Sequence, residues 1–153
     1  MCAVCEQDRY GTQRGDGIKS NVAVQSDAGK THTQAGYDAE IEPLRKIKRW
    51  HDRRAQVIKR DGSCVRCKAE GRPPAPIEIV DHVIPAQIAI EQAWESKRFG
   101  PIDKYAGYYL LCNLAGLCRS CHAVKTLEDL SHSGPWPNVM DVYDAQPKKK
   151  WSF

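Results

Sequence analysis

The 153-residue chain is 41% hydrophobic but only 8% aromatic, which supports one domain with a modest core, of a size that often leans on a metal or disulfides. Mean hydropathy is −0.58, no apolar run approaches the ~18 residues of a membrane span, and the N-terminus lacks the charged-then-apolar layout of a secretory signal, so a soluble, intracellular protein with no membrane partner is expected. The net charge of +4 is uneven, with four Lys/Arg against seven Asp/Glu in residues 1–42 and nineteen against twelve in the remainder, which aims the second part of the chain at a polyanion.

Residues 1–42 contain no Leu, Phe or Trp and are rich in Gly, Ser, Thr, Asn, Gln and Asp. Such a stretch cannot bury enough apolar surface to offset its ordering entropy, so a flexible tail is expected. Cys2 and Cys5 read there as spare thiols, with an accessory metal or redox role as the other reading. Order is expected from Pro43. Between Leu44 and Arg60, Ile47, Trp50, Val57 and Ile58 recur at helical spacing, and Asp61-Gly62 supplies a stop signal. Eight basic residues lie on this helix. They are either a solvated face or a phosphate-contacting one, for which Arg49, Arg53 and Lys59 are the candidates. Next come a Cys64-Val65-Arg66-Cys67 knuckle and a turn at Arg72-Pro73-Pro74. Ile77, Ile79 and Val80 then predict a short strand running into Asp81-His82. Residues 86–109 read as an insertion, with a helix over Gln87–Ser96 and a Gly/Tyr-rich loop over Tyr105–Tyr109. Ser120 is a suitable N-cap for a last helix ending near Leu130. Beyond Ser131 the chain reads as irregular and ends in a basic cluster, Lys148–Lys150. The expected organisation is a tail at 1–42, a domain at 43–131 and a basic tail at 132–153.

Seven cysteines are an odd number, a poor fit to a secreted disulfide framework. Four of them form two Cys-x-x-Cys pairs, Cys64/Cys67 and Cys118/Cys121. Zinc takes four tetrahedral thiolate or imidazole ligands, and each knuckle delivers two from one tight turn. A structural Zn2+ would close a loop of roughly fifty residues and contribute directly to folding. A thioredoxin-like redox site would need only one pair, within a βαβ pattern that is absent. A Cys121–His122 nucleophile pair is disfavoured because adjacent helical residues point apart. Cys112, beside Leu110 and Leu111, reads as simply buried.

Within this frame stand Asp81-His82-Val83-Ile84-Pro85, Asn113-Leu114 and His122. The order Cys-x-x-Cys, Asp-His-x-x-Pro, Asn-Leu-x-x-Leu-Cys-x-x-Cys-His-x-x-Lys resembles the HNH endonuclease family over about residues 43–130, above all its four-cysteine phage and bacterial subgroup. The resemblance implies an α+β fold: a ββα-metal core stapled by the four-cysteine zinc site and preceded by the basic helix. By position, His82 is then the general base and Asn113 the residue that orients it. Asp81 and His122 are the ligands of a catalytic divalent ion, Mg2+, Mn2+, Ni2+ or Zn2+. Thr126 stands where some relatives carry a further ligand. Arg119 and Lys125 flank His122 and could contact phosphate, whereas His51 and His132 match no motif position. Side chains alternate along an ideal strand, which would point Asp81 and His82 apart; the resemblance implies that the motif sits at a strand end where the chain bends, with His82 reaching the phosphate and Asp81 the metal. The implied activity is nicking or cutting of DNA, leaving 5′-phosphate and 3′-hydroxyl ends. The implied setting is the bacterial cytoplasm, with a phage or prophage source and a packaging terminase as partner; restriction and homing are other family roles. The competing class is a zinc-knuckle module that binds nucleic acid without cutting it, and a weaker third reading is a redox protein.

Overall fold

The computed structural model describes residues 39–147 in full and, before them, the backbone of three short stretches: Val24–Gln25 (β1), Thr31–His32 (β2) and the start of a helix at Gln34. The reading of the first residues as a flexible tail with spare Cys2 and Cys5, and the Lys148–Lys150 cluster, lie outside the described residues. No helix among those described is long and apolar enough to cross a membrane. The chain divides into two compact units, Met1–Asp81 with Ala115–Pro135, and His82–Leu114 with Trp136–Phe153.

In the first unit, β1 and β2 pair antiparallel. Helix α1 (Gln34–Lys46) and helix α2 (Lys48–Asp61) then replace the single helix expected from Leu44. α1 begins well before Pro43 and buries Ile41, which is 1% exposed, together with Leu44. A proline inside a helix removes one donor and crowds the preceding turn, and α1 ends three residues later. Ile47 is extended (φ −85°, ψ 152°). It would be the next inward position at three-residue spacing, but the break leaves it 45% exposed. α2 restarts the register with Trp50 and Val57, one heptad apart and both buried, which leaves most of its basic residues outward. Gly62 ends α2 at φ 72° and donates its N–H to Ile58 O, a backbone conformation that favours glycine. The Asp61 carboxylate accepts Gly116 N at 2.9 Å and so ties the helix end to the strand region.

Cys64 precedes the one-and-a-half-turn helix α3 (Val65–Ala69). The strands β3 (Ile79–His82) and β4 (Leu114–Leu117) form a two-stranded sheet. Glu78 N donates to Leu117 O and Val83 N to Asn113 O, so partner numbers fall as strand numbers rise and the pair is antiparallel. Helix α5 (Arg119–Ser131) follows β4 directly. Its N-cap is Cys118, not Ser120, which is buried in the first turn. The cysteine holds that place because the helix must start where Cys118 and Cys121 can both face the knuckle.

The second unit contains helix α4 (Ala86–Glu95), two 3-10 turns (Ala106–Tyr109 and Leu111–Asn113) and helix α6 (Val139–Asp144). Ile84, Ile88, Ala89, Ala93, Leu110, Val139 and Met140 form its core. The chain beyond Ser131 is therefore not irregular throughout. Val139 and Met140 bury against α4, the Asn138 side chain caps α6 by accepting Met140 N, and Gln92 Oε1 accepts Val139 N. A run this short gives little periodic signal, and its apolar pair is satisfied only by a distant helix. The architecture is α+β: helices, two small two-stranded sheets and, in the first unit, a four-cysteine cluster.

A candidate metal centre and active site

Cys64, Cys67, Cys118 and Cys121 are all buried, and their sulfurs lie within 4.8 Å of one another. Cys67 Sγ is 3.9 Å from Cys118 Sγ and 3.7 Å from Cys121 Sγ. A tetrahedron with metal–sulfur bonds of about 2.3 Å has edges of about 3.8 Å, so the four thiols fit a structural zinc ion. Ala75 and Leu117 complete the dry shell, and Ala75 O accepts Cys64 N. The Arg72 guanidinium donates to Cys121 Sγ at 3.3 Å, offsetting part of the negative charge a tetrathiolate would carry. Burial raises the Cys64 thiol, but bonds from the Cys67 and Cys118 N–H groups and contacts with the other thiols outweigh it and hold the group near 7. Burial drives Cys121 up to about 11.

The same unit holds a second cluster. Asp81 stands on β3, and Asp81 Oδ2 lies 3.6 Å from His122 Nε2. Two donors of one divalent ion at about 2.1 Å lie about 3–4 Å apart, so this oxygen and this nitrogen fit a shared ion. His122, Lys125 and Asp129 recur at i, i+3 and i+7 and so share one face of α5. Lys125 Nζ is 3.6 Å from Asp81 Oδ2 and donates to Asp129 Oδ2. Asp129 is pushed above the usual aspartate range by burial, and the Asp81 charge adds to this while Lys125 opposes it. Thr126 Oγ1 donates to His122 O at 3.0 Å, a bond to its own helix. Arg66 grips both Glu128 oxygens and also reaches Glu70, which fastens α3 to α5.

In the second unit, His82 is 7% exposed and Asn113 1%. His82 Nε2 lies 2.9 Å from Tyr108 O. A carbonyl only accepts, so the proton of a neutral imidazole sits on Nε2 and the lone pair on Nδ1. The Asn113 side chain mimics a strand neighbour: Oδ1 accepts Ile84 N at 2.8 Å, Nδ2 donates to Ile84 O at 2.9 Å, and its own carbonyl accepts Val83 N. It therefore carries the ladder past His82, where β3 ends.

Of the basic candidates, Lys59 is exposed, Arg53 donates to Gln56 and Arg49 is half-buried. Arg119 keeps its side chain largely exposed, 3.9 Å from Glu78, while its N–H donates to that carboxylate. Lys125 is turned onto carboxylates. Sequence reasoning missed two participants. Asp129 was marked only by its i+4 spacing from Lys125, and nothing local marks the Tyr108 carbonyl that meets His82.

A short strand pair, a helix entered through a cysteine knuckle and a His/Asp pair beside it define the class of site. No family model matches the sequence, and neither does a curated protein. Among solved structures the chain is similar to the HNH endonuclease of the deep-sea thermophilic bacteriophage GVE2, determined with a manganese ion. Identity is 28%, covering 63% of this chain and 89% of that one, with a TM-score of 0.48.

Proposed function

We propose that the protein is a metal-dependent DNA endonuclease of the HNH type. The observation that carries this reading is the pairing of Asp81 Oδ2 with His122 Nε2 at 3.6 Å, an oxygen–nitrogen donor set of the kind a divalent ion takes. His82 follows Asp81 directly in the chain. When bound, the ion would supply Lewis-acid polarisation of a phosphodiester and stabilise the departing oxygen. Every other task falls to the chain itself. The Tyr108 carbonyl fixes the His82 tautomer, which leaves Nδ1 as the atom to take a proton from an attacking water. Asn113 holds Val83 and Ile84 by three bonds and thereby sets the direction of the His82 backbone. Arg49, Arg53, Lys59 and Arg119 would attract the DNA backbone, a contribution without sequence preference. The bacterial cytoplasm, a phage or prophage source and a terminase partner belong to the same reading, and co-purification with terminase subunits tests the last.

Cleavage of supercoiled plasmid tests the activity, with Mg2+ or Mn2+ and with chelator, for the wild type, His82→Ala and His122→Ala. Wild type should nick only with metal, and His82→Ala should fall by about 10²–10⁴-fold while keeping its zinc. A wild type that binds DNA yet cuts nothing with any metal would instead make the chain a binding module.

A further inference from the structure

The nuclease reading uses Asp81 and His122 but gives no task to Lys125, which stands beside Asp81, or to Asp129, which accepts from the lysine. Only 14% of the Lys125 side chain is exposed. A lysine side chain covered to that degree calls for anionic partners near its charge, and it has two. It donates to Asp129 Oδ2 at 2.5 Å and stands 3.6 Å from Asp81 Oδ2. That Asp81 oxygen is the one that faces His122. Glu128, held by Arg66 of α3, also feels the lysine charge. Asp129 is not placed as a further ligand. Among the described residues, the cysteines alone bring three or more His, Cys, Asp or Glu donor atoms within 4.8 Å of one another.

A divalent ion on Asp81 and His122 would meet the lysine charge at close range, where like charges repel strongly. One turn further along α5, Asp129 already accepts the ammonium at 2.5 Å and can hold it there. We propose that Lys125 is an internal counter-ion that competes with the divalent ion for Asp81, and that Asp129 is the carboxylate that retains the lysine when the ion is bound. This inference rests on the assignment of Asp81 and His122 as metal ligands. Lys125 thereby weakens metal binding and Asp129 limits that weakening, so the two residues together set the metal concentration at which the site fills. Both are positioning residues, since neither touches the reacting atoms.

The test is titration of the zinc-loaded full chain with Mn2+ in the absence of DNA, following bound metal by calorimetry or by the signal of free Mn2+. Asp81→Asn should abolish binding at this site. Lys125→Met should tighten Mn2+ roughly tenfold, and Asp129→Asn should weaken it several-fold. In the Lys125→Met background, Asp129→Asn should change the affinity by less than about twofold, because its effect passes through the lysine. Zinc stoichiometry reports folding, and Lys125→Gln replaces the methionine variant if that one loses zinc. Lys125→Met binding Mn2+ no better than wild type overturns the proposal. So does an Asp129→Asn effect of equal size with and without the lysine, which would make Asp129 act on the ion directly. If Asp81→Asn binds Mn2+ as well as wild type, the ligand assignment itself falls and takes the proposal with it.

Discussion

Asn113 shows how much one side chain can fix. Its amide satisfies both backbone groups of Ile84 in a site from which water is excluded. Only one orientation of the amide works, since the N–H of Ile84 needs an acceptor and its carbonyl a donor. Removal leaves two buried polar groups without partners, each costing about 1–3 kcal/mol. Asn113→Ala should therefore lower stability by about 2–4 kcal/mol in urea unfolding and, if the chain is the proposed nuclease, reduce nicking even at temperatures where the protein stays folded. Unchanged stability would mean that water takes over the amide's bonds. The family resemblance pointed to Asn113 as a residue that bonds within the motif loop and so orients the base; that its partner there is Ile84 depends on a register that only paired strands reveal. Lys125 teaches the opposite lesson. A lysine beside a histidine on a basic protein reads as a phosphate contact, yet its neighbours on α5 and β3 turn it inward onto two carboxylates.

Elements carry predictions of their own. The 3-10 turn Ala106–Tyr109 packs so closely on α4 that a Cβ on Gly107 would lie 2.0 Å from Ala89 O. Backbone cannot retreat as a flexible side chain can, so Gly107→Ala should destabilise the protein by about 1–3 kcal/mol or more, read as a lower midpoint in thermal or urea unfolding. Because Tyr108 belongs to the same turn, displacement of its carbonyl should also cost activity. Helix α2 sets Arg53 and Lys59 on the surface while Trp50 and Val57 anchor the opposite face. If that surface meets DNA, Arg53→Glu with Lys59→Glu should weaken binding for every sequence alike. The slope of log affinity against log salt should also fall by about one for each phosphate that no longer meets a basic side chain. An unchanged slope would return the helix to a merely solvated role. The break at Ile47 escaped the sequence because helical periodicity runs smoothly across it; Pro43 was the signal available, and its consequence appears several residues downstream.

For the molecule as a whole, the tetrathiolate cluster joins segments far apart in the chain, so metal removal should be a folding event and not a local one. If the cluster holds the zinc ion its geometry fits, extracting it with a chelator should lower the thermal midpoint sharply and remove helical signal, with recovery on adding zinc back. Zinc needs thiolates, and protons compete for them. With Cys64 held near 7 and Cys121 raised to about 11, zinc affinity should climb as pH rises from about 6 to about 9. Zinc binding near pH 8 should release protons, measurable in weakly buffered solution. Loss of zinc at the same rate at pH 6 and pH 8 would contradict that balance. Two knuckles, one strand running into Asp81-His82, the helix after Pro85 and the helix bearing His122 were all legible in the chain. Each rests on a local rule: a metal's need for four ligands, side-chain alternation, or the spacing of apolar residues along a helix. Tertiary structure alone decided the division into two units, the capture of Val139 and Met140 by α4, the Tyr108 carbonyl behind His82 and the inward turn of Lys125. These depend on which distant surfaces meet, and a contact between residues far apart in the chain leaves no periodic trace in either segment.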